Sequence, residues 1–116
     1  QTLYLSTDGG DSFERRGGNL PLGKFASILF NPRNAEEVYV ASALETDGGI
    51  FHSTDGGWTW TRIDGAEKRL PSRRVWSLMF DPRDPGTILA GTHSSGIYRI
   101  ERRNAGGAGI TATEAR

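Results

Sequence analysis

The sequence predicts an all-β protein built from repeated four-stranded antiparallel units, and three observations predict it. Glycine supplies 16 of the 116 residues while apolar residues make up only 35 %, the composition of many short strands joined by glycine turns rather than of a helical bundle. One phrase occurs twice: Leu3-Tyr4-Leu5-Ser6-Thr7-Asp8-Gly9-Gly10-Asp11-Ser12-Phe13 returns as Ile50-Phe51-His52-Ser53-Thr54-Asp55-Gly56-Gly57-Trp58-Thr59-Trp60. A wider pattern repeats as well. Phe25-Ala26-Ser27-Ile28-Leu29-Phe30-Asn31-Pro32-Arg33-Asn34 reappears about fifty residues downstream as Val75-Trp76-Ser77-Leu78-Met79-Phe80-Asp81-Pro82-Arg83-Asp84.

In chain order, a first strand is predicted over residues 2–6 and a second over 12–16, with a tight polar turn between them. Residues 17–23, rich in Gly and Pro, form a loop. The apolar run 25–30 is too brief for a helix and is closed by Asn31-Pro32, so it reads as a buried strand. Residues 33–37 read as a polar turn, 38–42 as a strand, and 43–48 as a loop leading into the second hairpin, whose return arm covers 58–63. Strands then recur over 75–80, 87–92 and 96–100. With strands lettered A to D from inside to outside, the chain runs C-D, A-B-C-D, A-B-C. After residue 100 the repeated turn is replaced by Glu101-Arg102-Arg103-Asn104, which leaves the edge at 96–100 without an outer strand. Residues 105–116 read as a flexible tail in which only 109–113 has strand character.

A unit of about 45–50 residues with four strands and one tight C–D turn is the signature of a β-propeller blade. Residues 1–104 are therefore read as a partial propeller, with a β-sandwich as the alternative. Closed propellers need about four to eight blades, and about two and a quarter are present. The segment is expected to belong to a six- to eight-bladed ring or to an assembly of chains. Ile28, Phe30, Trp76, Leu78 and Phe80 each need apolar cover, so a homo-oligomer or the remainder of a longer propeller is the expected partner.

The repeated turn has a physical logic. An Asp ahead of two glycines can fold its carboxylate onto backbone N–H groups, and glycine then takes the positive φ that a β-carbon would oppose. Ser6 and Ser53 can bond across the turn, and Phe13 or Trp60 can pack against the hairpin. Ser6, Asp8, Gly10 and Phe13, like Ser53, Asp55, Gly57 and Trp60, are thus read as structural, with Asp8 and Asp55 stabilising turns rather than catalysing a reaction.

Both copies, at 6–13 and 53–60, fit Ser-x-Asp-x-Gly-x-(Ser/Thr)-aromatic, which resembles the Asp-box, or BNR repeat, of sialidase-like and sortilin-like β-propellers. With Phe80-Asp81-Pro82-Arg83-Asp84-Pro85-Gly86 and Ile88-Leu89-Ala90-Gly91-Thr92, the chain looks like one branch of that group. The branch holds xyloglucanase-like glycoside hydrolases, sortilin-type receptors and photosystem II assembly factor-like proteins. The resemblance covers residues 1 to about 100. It implies the propeller fold, a secreted or periplasmic location, and boxes on the outer rim away from the ligand face. It spans enzymes and non-enzymes alike, and no position matches a catalytic motif. The Arg-Ile-Pro type motif of sialidases is absent.

The D-to-A and B-to-C loops of such blades open on one face. The richest of these loops is 64–74, which leads into Trp76. Lys68, Arg69, Arg73, Arg74, Trp76 and His93 are the binding candidates, because arginine forks beside an aromatic ring suit carboxylates or a stacked sugar. The alternative is a solvated loop with Trp76 in the blade-to-blade core. Glycoside hydrolysis requires two carboxylates facing one bond, and the weak candidates are Glu45 and Asp47 on one loop with Asp64 and Glu67 on the other. His52 reads as a surface strand residue, and no second histidine stands at metal-ligand spacing, so no metal or cofactor is expected. Lysine plus arginine equals aspartate plus glutamate at 14 each, which argues against nucleic acid, and no apolar run has membrane-spanning length. Cysteine is absent. The expected function is a non-catalytic scaffold presenting loops to a protein or glycan. The alternative is a fragment of a xyloglucanase-like or sialidase-like glycoside hydrolase.

Overall fold

The computed structural model describes residues 2–21, 23–44, 48–63, 74–93, 95–102 and 110–114. Among them the strands are β1 (Tyr4–Leu5), β2 (Glu14–Arg15), β3 (Phe25–Asn31), β4 (Asn34–Ser42), β5 (Gly49–Ser53), β6 (Thr61–Arg62), β7 (Val75–Asp81), β8 (Asp84–Thr92), β9 (Ile97–Arg102) and β10 (Ile110–Glu114). They form a β1-β2 ribbon and two four-stranded antiparallel sheets, β3-β4-β5-β6 and β7-β8-β9-β10. Each four-stranded sheet is a propeller blade, and the ribbon is the outer half of another.

The internal repeat is exact in register. On β3 and β4, Ser27, Ile28, Leu29 and Phe30 face Ala41, Val40, Tyr39 and Val38, while on β7 and β8, Ser77, Leu78, Met79 and Phe80 face Gly91, Ala90, Leu89 and Ile88. The ladder shifts at the same two places in both hairpins. Residues 33–37, expected as a polar turn, are mostly strand instead. The turn contracts to Pro32 and Arg33, because Asn31 Oδ1 accepts the Arg33 N–H at 2.9 Å and lets Asn34 pair directly with Asn31. Asp81 does the same for Arg83. Conversely β1, β2 and β6 are only two residues long, since serine and aspartate side chains hold the backbone groups that a longer ladder would use.

A second correction concerns the edge at 96–100, which the repeat leaves vacant. It is covered by β10, antiparallel to β9 with Ile110 opposite Arg102 and Ala112 opposite Ile100. The β-branched residues Ile110, Thr111 and Thr113 favour that extended backbone.

Apolar cores form where sheets meet. Between the two blades lie Tyr39, Ala41 and Ile50 from one side and Val75, Leu78, Ile88, Ala90 and Ile100 from the other. Leu20, Val38, Val40, Phe51 and Trp60 close a second core on the opposite face of the first blade, where Leu3 of the ribbon side joins them. Of the residues expected to need cover, Leu78 and Phe80 have it, while Ile28, Phe30 and Trp76 remain nearly half exposed.

Candidate functional site

The two Ser-x-Asp turns are built alike, at one end of the sheets. Ser53 Oγ donates to Asp55 Oδ1 at 2.8 Å and accepts the Gly57 N–H at 2.9 Å. Asp55 in turn accepts the Thr59 N–H at 2.9 Å and the Thr59 hydroxyl at 2.6 Å. Ser6, Asp8, Gly10 and Ser12 repeat these bonds at 2.5–2.9 Å. Gly10 and Gly57 share a φ of 97°, the left-handed region that a side chain disfavours. The Thr59 hydroxyl foremost, with its backbone N–H, lowers the Asp55 carboxyl to about 2, and Ser12 does the same for Asp8. Every donor these carboxylates meet belongs to the turn itself.

The aromatic residues that end the two phrases differ in setting. Trp60 is buried, with Nε1 donating to Gly57 O at 2.8 Å and to Arg16 O at 3.2 Å. Phe13, its equivalent, is 65 % exposed, so the packing expected of it against its own hairpin is not formed. Trp60 is covered because the preceding ribbon reaches it. Arg16 Nη1 donates to Gly56 O at 2.8 Å, and Asn19 clasps the Trp60 backbone, accepting its N–H at 2.7 Å and donating to its carbonyl at 2.9 Å. Sequence reasoning missed Asn19, which sits in an ordinary Gly-Gly-Asn loop.

His52 is another correction. Rather than a surface residue, it stacks on Tyr39 at 4.3 Å between ring centroids and meets Glu37 Oε2 at 3.2 Å, with both side chains only 15 % exposed. Tyr39 also takes the edge of Phe80 at 6.3 Å, which places this stack at the junction between blades.

The binding candidates that the structure describes converge at the other end of the sheets. Val75 pairs with Thr92, so the start of β7 and the end of β8 lie side by side and bring Arg74, Trp76 and His93 together. The ladder skips Trp76 between the Val75 and Ser77 pairs, and such a bulge turns a side chain out of the sheet. Its indole Nε1 lies 3.4 Å from His93 Nδ1, and the Arg74 guanidinium lies 5.7 Å from the ring centroid. Arg74 Nε is held by the carbonyl of Ala43, at the end of β4 in the neighbouring blade. Close by, Arg62 donates to Gly48 O at 2.6 Å and covers the Phe51 ring at 4.7 Å. An exposed indole flanked by a cation and an imidazole offers a flat apolar surface with polar groups at its rim. Glu45, Asp47, Asp64, Glu67, Lys68, Arg69 and Arg73 lie outside the described residues. Among the described residues, no group of three or more His, Asp or Glu side chains is placed to hold a metal ion.

Four-stranded antiparallel sheets packed face to face, with the Ser-x-Asp turns at one end and Arg74, Trp76 and His93 at the other, define a β-propeller segment. No protein-family model matches the chain. It is 32 % identical over 100 residues to a xyloglucanase of Paenibacillus sp, a match covering 82 % of this chain and 9 % of that protein. It is 27 % identical over 105 residues to the oligoxyloglucan-reducing end-specific xyloglucanase of Emericella nidulans, covering 83 % and 13 %. Similarity extends to the VPS10 domain-containing receptor SorCS3 of Homo sapiens, 28 % identical over 98 residues and covering 84 % and 8 %. The crystal structure of an ancestral GH74 enzyme superposes with a TM-score of 0.63 at 24 % identity, over 98 % of this chain and 16 % of that one. The chain thus spans about a tenth of the length of the curated relatives it matches.

Proposed function

We propose that this chain is a blade segment of a glycoside hydrolase propeller of the xyloglucanase kind, and that its loop face binds the glycan without carrying out hydrolysis by itself. The observation that carries the reading is the convergence of Arg74, Trp76 and His93. An indole 47 % exposed on a bulge is the stacking surface that a pyranose ring takes, with Arg74 and His93 at its edge for hydroxyl groups. The Ser-x-Asp turns, read as Asp-boxes, serve the scaffold at the opposite end. The likeness to xyloglucanases supports xyloglucan as the glycan.

Titration of the chain with xyloglucan oligosaccharides, followed by tryptophan fluorescence and calorimetry, tests the proposal. Saturable binding lost in Trp76→Ala, with no release of reducing ends, is the expected result. No binding, or equal binding by Trp76→Ala, refutes it. The likeness to a VPS10 receptor favours one second reading, in which the same loop face meets a protein.

A further inference from the structure

The two Ser-x-Asp phrases differ in kind at one position, which is Asp11 in the first copy and Trp58 in the second. The neighbours of Trp58 in the turn are glycine and threonine, and the indole is 52 % exposed. One face of its ring is nonetheless taken. The guanidinium of Arg16, just past β2, lies 4.1 Å from the ring centroid. That cation is itself pinned, its Nε donating to Glu14 Oε1 at 2.9 Å and its Nη1 to Gly56 O at 2.8 Å. The Arg16 side chain is only 17 % exposed, so it is wedged behind the indole rather than lying over it in solvent. The Trp58 backbone is braced as well, because Gly18 sits so close to its carbonyl that a β-carbon there would clash. A ring held from behind and still half exposed turns its opposite face outward.

We propose that the outward face of Trp58 is a second glycan site, on the rim of the blade, which takes a neutral pyranose ring. Three features select that chemistry. A flat apolar face held in one orientation suits sugar stacking, since little side-chain freedom remains to be lost on binding. The polar group beside the guanidinium is the Glu14 carboxylate, 58 % exposed, which only accepts hydrogen bonds. A ligand must therefore bring donors, as sugar hydroxyls do, and an anion is repelled. A cation is disfavoured too, because the Arg16 charge behind the ring opposes a second one in front. The site goes beyond the reading of Trp76 and lies at the other end of the sheets, so either can fail alone.

One ring and one carboxylate hold a sugar weakly, with a Kd on the order of millimolar, so the site does not register in calorimetry at lower concentrations. It is read instead from the tryptophan indole N–H signals by NMR, during titration with cellotetraose. The protein is the full chain carrying Trp76→Ala, in which the loop-face platform is gone. A saturable shift of the Trp58 signal is expected. Adding Trp58→Ala should weaken the remaining binding at least about tenfold by ligand-observed NMR, whereas Trp58→Phe, which keeps a flat ring, should stay within about fivefold. No saturable shift of Trp58 up to about 50 mM cellotetraose overturns the proposal, without recourse to any substitution at 58. Binding that survives Trp58→Ala unchanged also overturns it. So does tetramethylammonium binding at Trp58 more tightly than cellotetraose, which would make the ring a cation site. Loss of glycan binding on Trp76→Ala, measured in the parent chain, reports separately on the proposed function.

Discussion

Replacing Asp55 with alanine isolates the scaffold role of the Ser-x-Asp turn. The carboxylate accepts three hydrogen bonds, from Ser53 Oγ, Thr59 N and Thr59 Oγ1. A net worth near 0.5–1.5 kcal/mol each would suggest more, but the Thr59 groups reach solvent and regain water, which discounts their share. Ser53 does not reach solvent. It is 1 % exposed, so its hydroxyl loses an acceptor it cannot replace. The expected loss is about 1–2 kcal/mol, or roughly 4–12 °C in Tm for a domain of this size. Asp8→Ala, whose turn is exposed throughout, should lose less. Acid adds an independent reading. The Asp55 carboxyl lies at about 2 in the folded chain against an ordinary 3.8. A depressed folded value means that its stabilisation is complete above about pH 4 and is lost as pH falls toward 2. Denaturant titrations of parent and variant at pH 7 and pH 3 should therefore show a gap that narrows in acid. Equal stability at pH 7, or weakened glycan binding at unchanged stability, would refute the reasoning.

Further outcomes follow from matched positions in the repeat. Ile50→Ala, at a fully buried junction residue, should cost about 2–5 kcal/mol, whereas Ile97→Ala, at its exposed counterpart, should cost under about 1 kcal/mol by chemical denaturation. Gly57→Ala should destabilise more than Gly10→Ala at the same φ. A β-carbon at 57 would lie 3.2 Å from Arg16, while at 10 it would meet open space, and thermal melts separate the two. Asn19→Ala should cost about 1–2 kcal/mol and shift Trp60 emission to the red, because both backbone bonds to Trp60 vanish. Sedimentation of the parent chain at micromolar concentration should give species heavier than 12.6 kDa, driven by the uncovered faces at Ile28 and Ile97.

Features whose causes lie within a few residues were legible in the sequence. The Ser-x-Asp turns are closed by partners two and four residues apart, so their chemistry reads directly from the phrase. That Arg74, Trp76 and His93 lie on one end of the sheets follows from the repeat, which fixes which strand ends are neighbours, but their contacts with one another were not read from the sequence. What escaped depends on distant pairing. Asn19 clasps Trp60 across 41 positions, and nothing in its neighbourhood distinguishes it from a turn residue. His52 reads as a surface position until Tyr39 and Glu37 are placed beside it. The strand character of 109–113 was legible in its β-branched residues, but its pairing with β9 was not, because the Gly- and Ala-rich stretch between them carries no turn signal that sets a register.

The open faces at Ile28 and at Ile97 have a consequence for symmetry. They are opposite sides of one repeating unit and therefore unlike each other, so a twofold axis cannot satisfy both at once. Contact of one with the other is heterologous, and each addition exposes a fresh copy of the face it consumed. Such growth has a direction and no natural stopping number unless the rotation per step closes a ring. One charged substitution on either face should therefore cap every growing end of one polarity. Ile97→Lys and Ile28→Lys, mixed in equal amounts, should then regain a single heterologous contact and stop at pairs.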